Sequence, residues 1–299
     1  MAHPIKPAAT LVLLRPASSG GEGTEVLLMR RHGKSGFMGG VHVFPGGKVD
    51  EHDFDAGYAE VLADFDWEEA RSRFRGSAEE VRAHYVAALR ETFEEAGCLL
   101  ASPRCAPGEV IHLENDAARK ERLAGYRDHL NDREHPETLL SIAGKEELLL
   151  RPDLLAYFDH WITPEIESKR YDTRFFVAAA PEGQEPTHDE HELTEWDWFR
   201  PADAIAAFTQ GKIKLAPPTW VTLQRLAAYA SVSSTIAGLG KRTVVTNLPR
   251  PKPKATTLTI LLPGHPEYGE QVGEPVEVTQ DTPLGFTMEG GTWKAIESV

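Results

Sequence analysis

Residues 86–98 read VAALRETFEEAGC, and this stretch decides what the rest of the chain has to be. As a helix turning about 100° per residue, it gathers Leu89, Phe93, Ala96 and Leu100 into one apolar stripe. Glu91, Glu94 and Glu95 fall on the opposite side. Like charges at helical neighbour spacing repel by about 0.2–0.5 kcal/mol per pair. The acidic face is therefore either a solvated surface or a set of oxygen ligands for a hard divalent cation. Arg90 stands beside it, where a guanidinium would hold a carboxylate through a bidentate pair.

Working outward, Ser77 and Glu80 have the spacing of a capping box and predict a helix starting at about Ala78, with Gly97 as its stop. Gly76 separates it from a shorter helix upstream. Residues 44–53 read FPGGKVDEHD, and a tight Gly46-Gly47 turn lets a backbone carbonyl come close to a ligand. Residues 8–14 and 24–31 predict a β-hairpin, so the chain opens as antiparallel β. Residues 115–151 are helical and highly charged, and we read them as a solvated helical insertion. Strand-like patterns return in LLAYFDHWITP and YDTRFFVAAAP, and helices follow Pro201 and span about 217–231. Pro249, Pro251 and Pro253 mark a stiff linker, followed by short strands with a hairpin at Gly290-Gly291.

The 299 residues allow one large domain or a domain with an appendage, and 41% hydrophobic with 26% charged residues is a globular composition. A formal net charge of −14 repels nucleic-acid backbones and anionic membranes, so neither is expected as a partner, and an anionic substrate would need local cations. The N-terminal residues lack a signal-peptide layout, no apolar run approaches about 18 residues, and AIESV at the end is not a targeting address. Cys98 and Cys105 form no metal-binding pattern and suit free thiols, so a cytoplasmic location is expected.

GGKVDEHD followed by ALRETFEEAG resembles the Nudix box, G-x5-E-x7-R-E-U-x-E-E-x-G-U, where U is a bulky aliphatic residue. Arg90, Glu91, Glu94, Glu95 and Gly97 match it; Thr92 and Cys98 stand at the aliphatic positions, and Asp53 stands where glutamate is usual. An uninterrupted box counted from Gly47 would put its arginine at position 61, so 29 further residues intervene before Arg90. An interruption at this place is similar to the branch of the peroxisomal CoA diphosphatases and their bacterial relatives. GFMGGVHVFPGG, WITP with RYDTRFFVAA, ELTEWDWFRPADAI and KLAPPTWVTLQRL resemble that branch's recurring segments in order, over roughly residues 8–230.

The resemblance implies an α/β fold, a Nudix-type α/β/α sandwich with a mixed sheet and helical insertions, to which the strand-like patterns near the end add a β-rich C-terminal tail. It places the Nudix domain at 8–235, with insertions at about 54–77 and 110–150; the residues beyond it, 241–299, read by composition as a Pro-rich linker and a β-rich extension. The resemblance also implies metal-dependent hydrolysis of a diphosphate linkage with Mg²⁺ or Mn²⁺. Glu94 and Glu95 are implied as metal ligands, Glu91 as a metal ligand or the base that deprotonates water, and Arg90 as the residue that orients Glu91; which carboxylate is the base varies across the family. The Gly46 carbonyl and Glu192 are further ligand candidates, Glu190 and Glu195 being rivals for the latter's role. Asp53 reads either as a turn or cap residue or as a stand-in for the missing glutamate.

Arg30, Arg31 and Lys34 are candidate phosphate contacts, and an exposed basic loop reads as well. Trp196 and Trp198 share one strand face, which fits core packing or, for Trp198, stacking on an adenine. His188 and His191 read as surface residues. The implied partner is a small-molecule diphosphate, possibly CoA or acyl-CoA, and a homodimer stays open. Of the CoA-type pattern L-L-T-x-R-[SA]-x3-R-x3-G-x3-F-P-G-G, the chain keeps Leu27, Leu28, Arg31, Gly40 and FPGG but has Met29, His32 and Gly36 at three positions. An ADP-ribose or NADH pyrophosphatase and a non-catalytic nucleotide-binding module remain the alternatives.

Overall fold

The protein is described by a computed structural model covering residues 4–18, 23–33, 39–131, 137–187, 193–273, 276, 283–290 and 292–296. The chain opens with β1 (Ile5–Pro16), β2 (Thr24–Arg31), β3 (His42–Val43) and β4 (Gly46–Lys48), then α1 (Trp67–Phe74) and α2 (Ala78–Ala96). It continues through β5 (Ala101–Pro103), α3 (Ala117–Asn131), α4 (Leu139–Lys145), β6 (Leu148–Leu150), β7 (Ala156–Ile162), β8 (Arg170–Ala179) and β9 (Leu193–Phe199). Helices α5 (Pro201–Thr209), α6 (Pro217–Leu226) and α7 (Val232–Gly240) precede β10 (Thr246–Asn247), β11 (Arg250–Pro251), β12 (Thr259–Leu261), β13 (Gly285–Glu289) and β14 (Thr292–Ala295).

The main sheet runs β10-β7-β8-β1-β2-β3, with β4 on β1 and β9 on β2. It is mixed: β1 is parallel to β8 and antiparallel to both β2 and β4. The central strands are buried on both sides, and their side chains sort by alternation as the pleat requires. Leu11, Leu13, Leu27, Met29 and Phe176 face one core, shared with α1, α2, α3 and α4. Val12, Leu14, Val26, Leu28, Phe175 and Val177 face the other, shared with α5, α6 and α7. The expected α/β/α sandwich is therefore present.

Helix α2 begins and ends where its sequence says. Ser77 accepts from the Glu80 N–H at 3.1 Å, the Glu80 carboxylate accepts from the Ser77 N–H at 2.8 Å, and Gly97 ends the helix at φ 69°. Leu89, Phe93, Ala96 and Leu100 are all buried. The charged segment that reads as solvated is docked instead: Leu123 of α3 and Leu139, Ile142 and Ala143 of α4 enter the first core.

Just before the prolines, β10 adds to the main sheet beside β7; β11 lies among them, and β11–β14 form a small antiparallel sheet. That sheet packs on the second core, where the rings of Phe286 and Trp220 meet edge to face at 5.5 Å. Among the described residues no helix is long and apolar enough to cross a membrane. Cys98 is buried, Cys105 is exposed, and both are free thiols.

Candidate active site

Strand β4 brings Gly46 and Gly47 beneath the C-terminal half of α2; a side chain at 46 would strike backbone, and one at 47 would strike the Glu91 carboxylate. A Cβ on Gly46 would lie 2.5 Å from the Ala9 carbonyl oxygen, and one on Gly47 would lie 2.5 Å from the Glu91 carboxylate. The Gly46 N–H donates to Glu95 Oε2 at 2.7 Å. The contact seen at Gly46 is thus made by its amide.

Arg90 is the hub, and all five of its N–H groups have a partner. Nε donates to Asp53 Oδ1 at 2.8 Å, and Nη2 to Asp53 Oδ2 at 2.9 Å and to the Lys48 carbonyl at 2.8 Å. Nη1 donates to Glu91 Oε1 at 3.0 Å and to Glu94 Oε2 at 2.8 Å. One guanidinium therefore ties β4, the 3-10 turn at Glu51–Phe54 and two turns of α2 together. Asp53 is fully buried and also accepts from the Asp50 N–H at 2.8 Å, so it closes a capping box while pairing with Arg90.

Burial works against the charge of Arg90, but Glu91, Asp53 and Glu94 outweigh it and hold the guanidinium firmly protonated. Burial pushes the Glu94 carboxyl up to about 8; Arg90 opposes the rise and Glu91 adds to it. Asp53, Glu91 and Glu94 are three carboxyl groups on one arginine, with Glu95 beside them on the Gly46 amide, and a buried excess of carboxylates is stable only with a further cation or a retained proton. All-oxygen donors of this kind fit Mg²⁺ or Mn²⁺. Among the described residues no three acidic, histidine or cysteine side chains already converge as a ligand set. Here Glu91 and Glu94 point an oxygen at Arg90, and Glu95 points one at Gly46.

The other predicted positions are spread more widely. Arg30, on β2, pairs with both carboxylate oxygens of Glu195 at 3.1 Å on the exposed side of β9. Arg31 ends the same strand and is half-buried. The Trp198 ring packs against the first core, with the Arg15 guanidinium 4.4 Å from its centroid. Lys34 and Glu192 lie outside the described residues, as do Glu190, His188 and His191.

A mixed sheet between helical layers, with an Arg-Glu helix seated on a Gly-Gly strand, is a Nudix fold. A solved structure of a NUDIX hydrolase from Alicyclobacillus acidocaldarius superposes with a TM-score of 0.60 at 25% identity, covering 79% of this chain and 96% of that one. The NUDT19 Nudix domain family model matches residues 68–226, more than half of the chain, and the chain belongs to that family. The acyl-coenzyme A diphosphatase NUDT19 of Homo sapiens is 31% identical over 243 residues, 71% of this chain and 63% of that protein. Its Xenopus laevis counterpart is 29% identical over 236 residues, 70% and 61% respectively. The chain thus spans somewhat over three fifths of the length of these relatives.

Proposed function

We propose that this chain hydrolyses the diphosphate linkage of CoA or an acyl-CoA with the help of Mg²⁺ or Mn²⁺. The observation that carries the reading is the imbalance of three carboxyl groups on one arginine, with a fourth, Glu95, on the Gly46 amide beside them. Similarity to proteins named acyl-coenzyme A diphosphatase supports the choice of substrate. Glu91, Glu94 and Glu95 would hold the metal, with the Gly46 carbonyl and Glu192 as further candidates. A cation bound there would neutralise charge that grows on the phosphoryl oxygens.

The protein's own groups do the rest. Arg90 fixes the rotamers of Glu91 and Glu94. Glu91 is our candidate to take the proton from water as its oxygen forms a bond to one phosphorus and the bridging P–O bond breaks. Arg30, Arg31 and Lys34 are assigned to phosphate contacts, and Trp198 to the adenine. Two free thiols support a cytoplasmic setting.

The test is incubation of the purified protein with Mg²⁺ or Mn²⁺ and CoA, acyl-CoAs, ADP-ribose, NADH, diadenosine polyphosphates and nucleoside triphosphates, with products identified by mass. Release of 3′,5′-ADP and a phosphopantetheine is the expected result. Cleavage of ADP-ribose or NADH alone would replace the substrate while keeping the site. Metal binding without turnover of any of these compounds would favour a binding module.

A further inference from the structure

An α-helix leaves its last four carbonyls without partners inside the helix. In α2 these are the carbonyls of residues 93–96, the turn that carries Glu94 and Glu95. The Gly97 N–H takes the first, on Phe93, at 3.0 Å, and the Thr187 N–H takes the last, on Ala96, at 2.9 Å. The two between belong to a side chain from another helix. Arg127 of α3 donates from Nε to the Glu94 carbonyl and from Nη2 to the Glu95 carbonyl, each at 2.7 Å. The same guanidinium reaches Thr187, from Nη1 to its hydroxyl at 2.5 Å and from Nη2 to its carbonyl at 2.8 Å. A cation at the negative end of the helix dipole also offsets the charge that the glutamates add there.

The placement of Arg127 is itself secured. Leu123 of α3 is buried in the first core, and Arg119 and Arg122 grip the buried Glu146 carboxylate, with Arg122 Nε 2.7 Å from Oε1.

We propose that Arg127 is a positioning residue of the metal site. By holding the carbonyls of Glu94 and Glu95 it fixes the last turn of α2, and with it the geometry in which those two carboxylates meet a metal. The inference rests on the reading of the glutamate helix as a metal site. It makes the charged α3 segment a strut of the active centre.

The experiment titrates the metal-free full-length chain with Mn²⁺ and reads free Mn²⁺ by electron paramagnetic resonance, with turnover of CoA measured in parallel. Arg127→Met keeps the aliphatic stem and removes every donor. It should weaken Mn²⁺ binding about 10-fold or more, as loss of a group that orients metal ligands does, and lower kcat with little change in KM. Arg127→Lys keeps the charge but loses the planar fork that spans two carbonyls, so it should fall between, about 3-fold to 10-fold weaker than wild type. Arg250→Met removes an arginine of the small C-terminal sheet that donates to the Tyr268 carbonyl, outside the contacts that hold α2 and α3, and should bind Mn²⁺ as wild type does.

Mn²⁺ affinity of Arg127→Met and Arg127→Lys within twofold of wild type would overturn the proposal. If Arg127→Met does not fold, Arg127→Lys decides by the same margins. Wild-type protein that binds no Mn²⁺, or binds it unchanged in Glu95→Gln, would overturn the metal-site reading itself and this inference with it.

Discussion

Arg90 and Asp53 are 37 positions apart and meet through two parallel hydrogen bonds, Nε to Oδ1 at 2.8 Å and Nη2 to Oδ2 at 2.9 Å. The pair closes in space a motif that the sequence interrupts. Its carboxylate is fully buried and its guanidinium nearly so, which makes each partner costly to leave alone.

Asp53→Asn removes the charge that faces Arg90 and leaves the shape nearly unchanged. Breaking a buried pair on one side costs about 3–5 kcal/mol, and urea unfolding followed by circular dichroism should show a loss of that order. Turnover should drop as well, because Arg90, which holds Glu91 and Glu94 through Nη1, loses the carboxylate that fixes its own position. Asp53→Asn with wild-type stability would show that the Lys48 carbonyl and the two glutamates suffice to hold the arginine.

Gly46 and Gly47 should fail in different ways when changed to alanine. The new methyl at 46 meets main-chain atoms of Ala9 and Thr10, which cannot yield, so Gly46→Ala should cost about 3 kcal/mol of stability, the upper end for overpacking. The methyl at 47 meets the Glu91 carboxylate, which can rotate away, so Gly47→Ala should cost only about 1 kcal/mol but should weaken Mn²⁺ binding and turnover. Thermal melting and metal titration of both variants separate the two effects.

Glu95→Gln keeps an oxygen to accept from the Gly46 N–H and removes only the charge. Its unfolding free energy should stay within about 1 kcal/mol of wild type, the scale of a single hydrogen bond. Its kcat should fall by about 100-fold or more, as expected where fixed charge stabilises the transition state. Steady-state kinetics at saturating Mn²⁺ would measure it, and a rate near wild type would remove Glu95 from the site.

His84 sets a pH dependence away from the metal site. Its Nδ1 lies 2.7 Å from the Glu80 carbonyl, to which it must donate, and the ring is buried against Phe74 with Arg174, Asp172 and Glu80 nearby. Burial holds its pKa below the ordinary 6.5. The unfolded chain therefore takes up a proton near that pH while the folded chain does so only at lower pH. Stability present above 6.5 is lost as the pH falls below it, by up to about 1.4 kcal/mol per pH unit for one group. His84→Gln should remove this part of the slope in urea unfolding measured between pH 7.5 and pH 5.5. His42, also held low by burial, keeps its own share in both proteins.

The features legible in the sequence were those set by near neighbours. A capping box needs residues three apart, a glycine stop needs one residue that tolerates positive φ, and an apolar stripe needs only helical periodicity; Ser77, Glu80, Gly97 and the Leu89-Phe93 face behave accordingly. The alternation in β1, β2 and β8 likewise fixed which side chains entered which core. The Nudix pattern survived its interruption because its second half lies within one helix.

Tertiary structure alone decided what long-range contacts build. Asp53 was ambiguous until folding placed it on Arg90, and Arg127 carried no signal at all, since it sits in a charged helix of weak amphipathicity and meets Glu94 across 33 positions. The charged 115–131 stretch read as solvated because arginines look exposed in sequence; packing half-buries Arg119 and Arg127 and lays the exposed Arg122 on the Glu146 carboxylate. A sequence displays the donors of such contacts, but the acceptors here are backbone carbonyls and a distant buried carboxylate, whose positions exist only once the chain has folded.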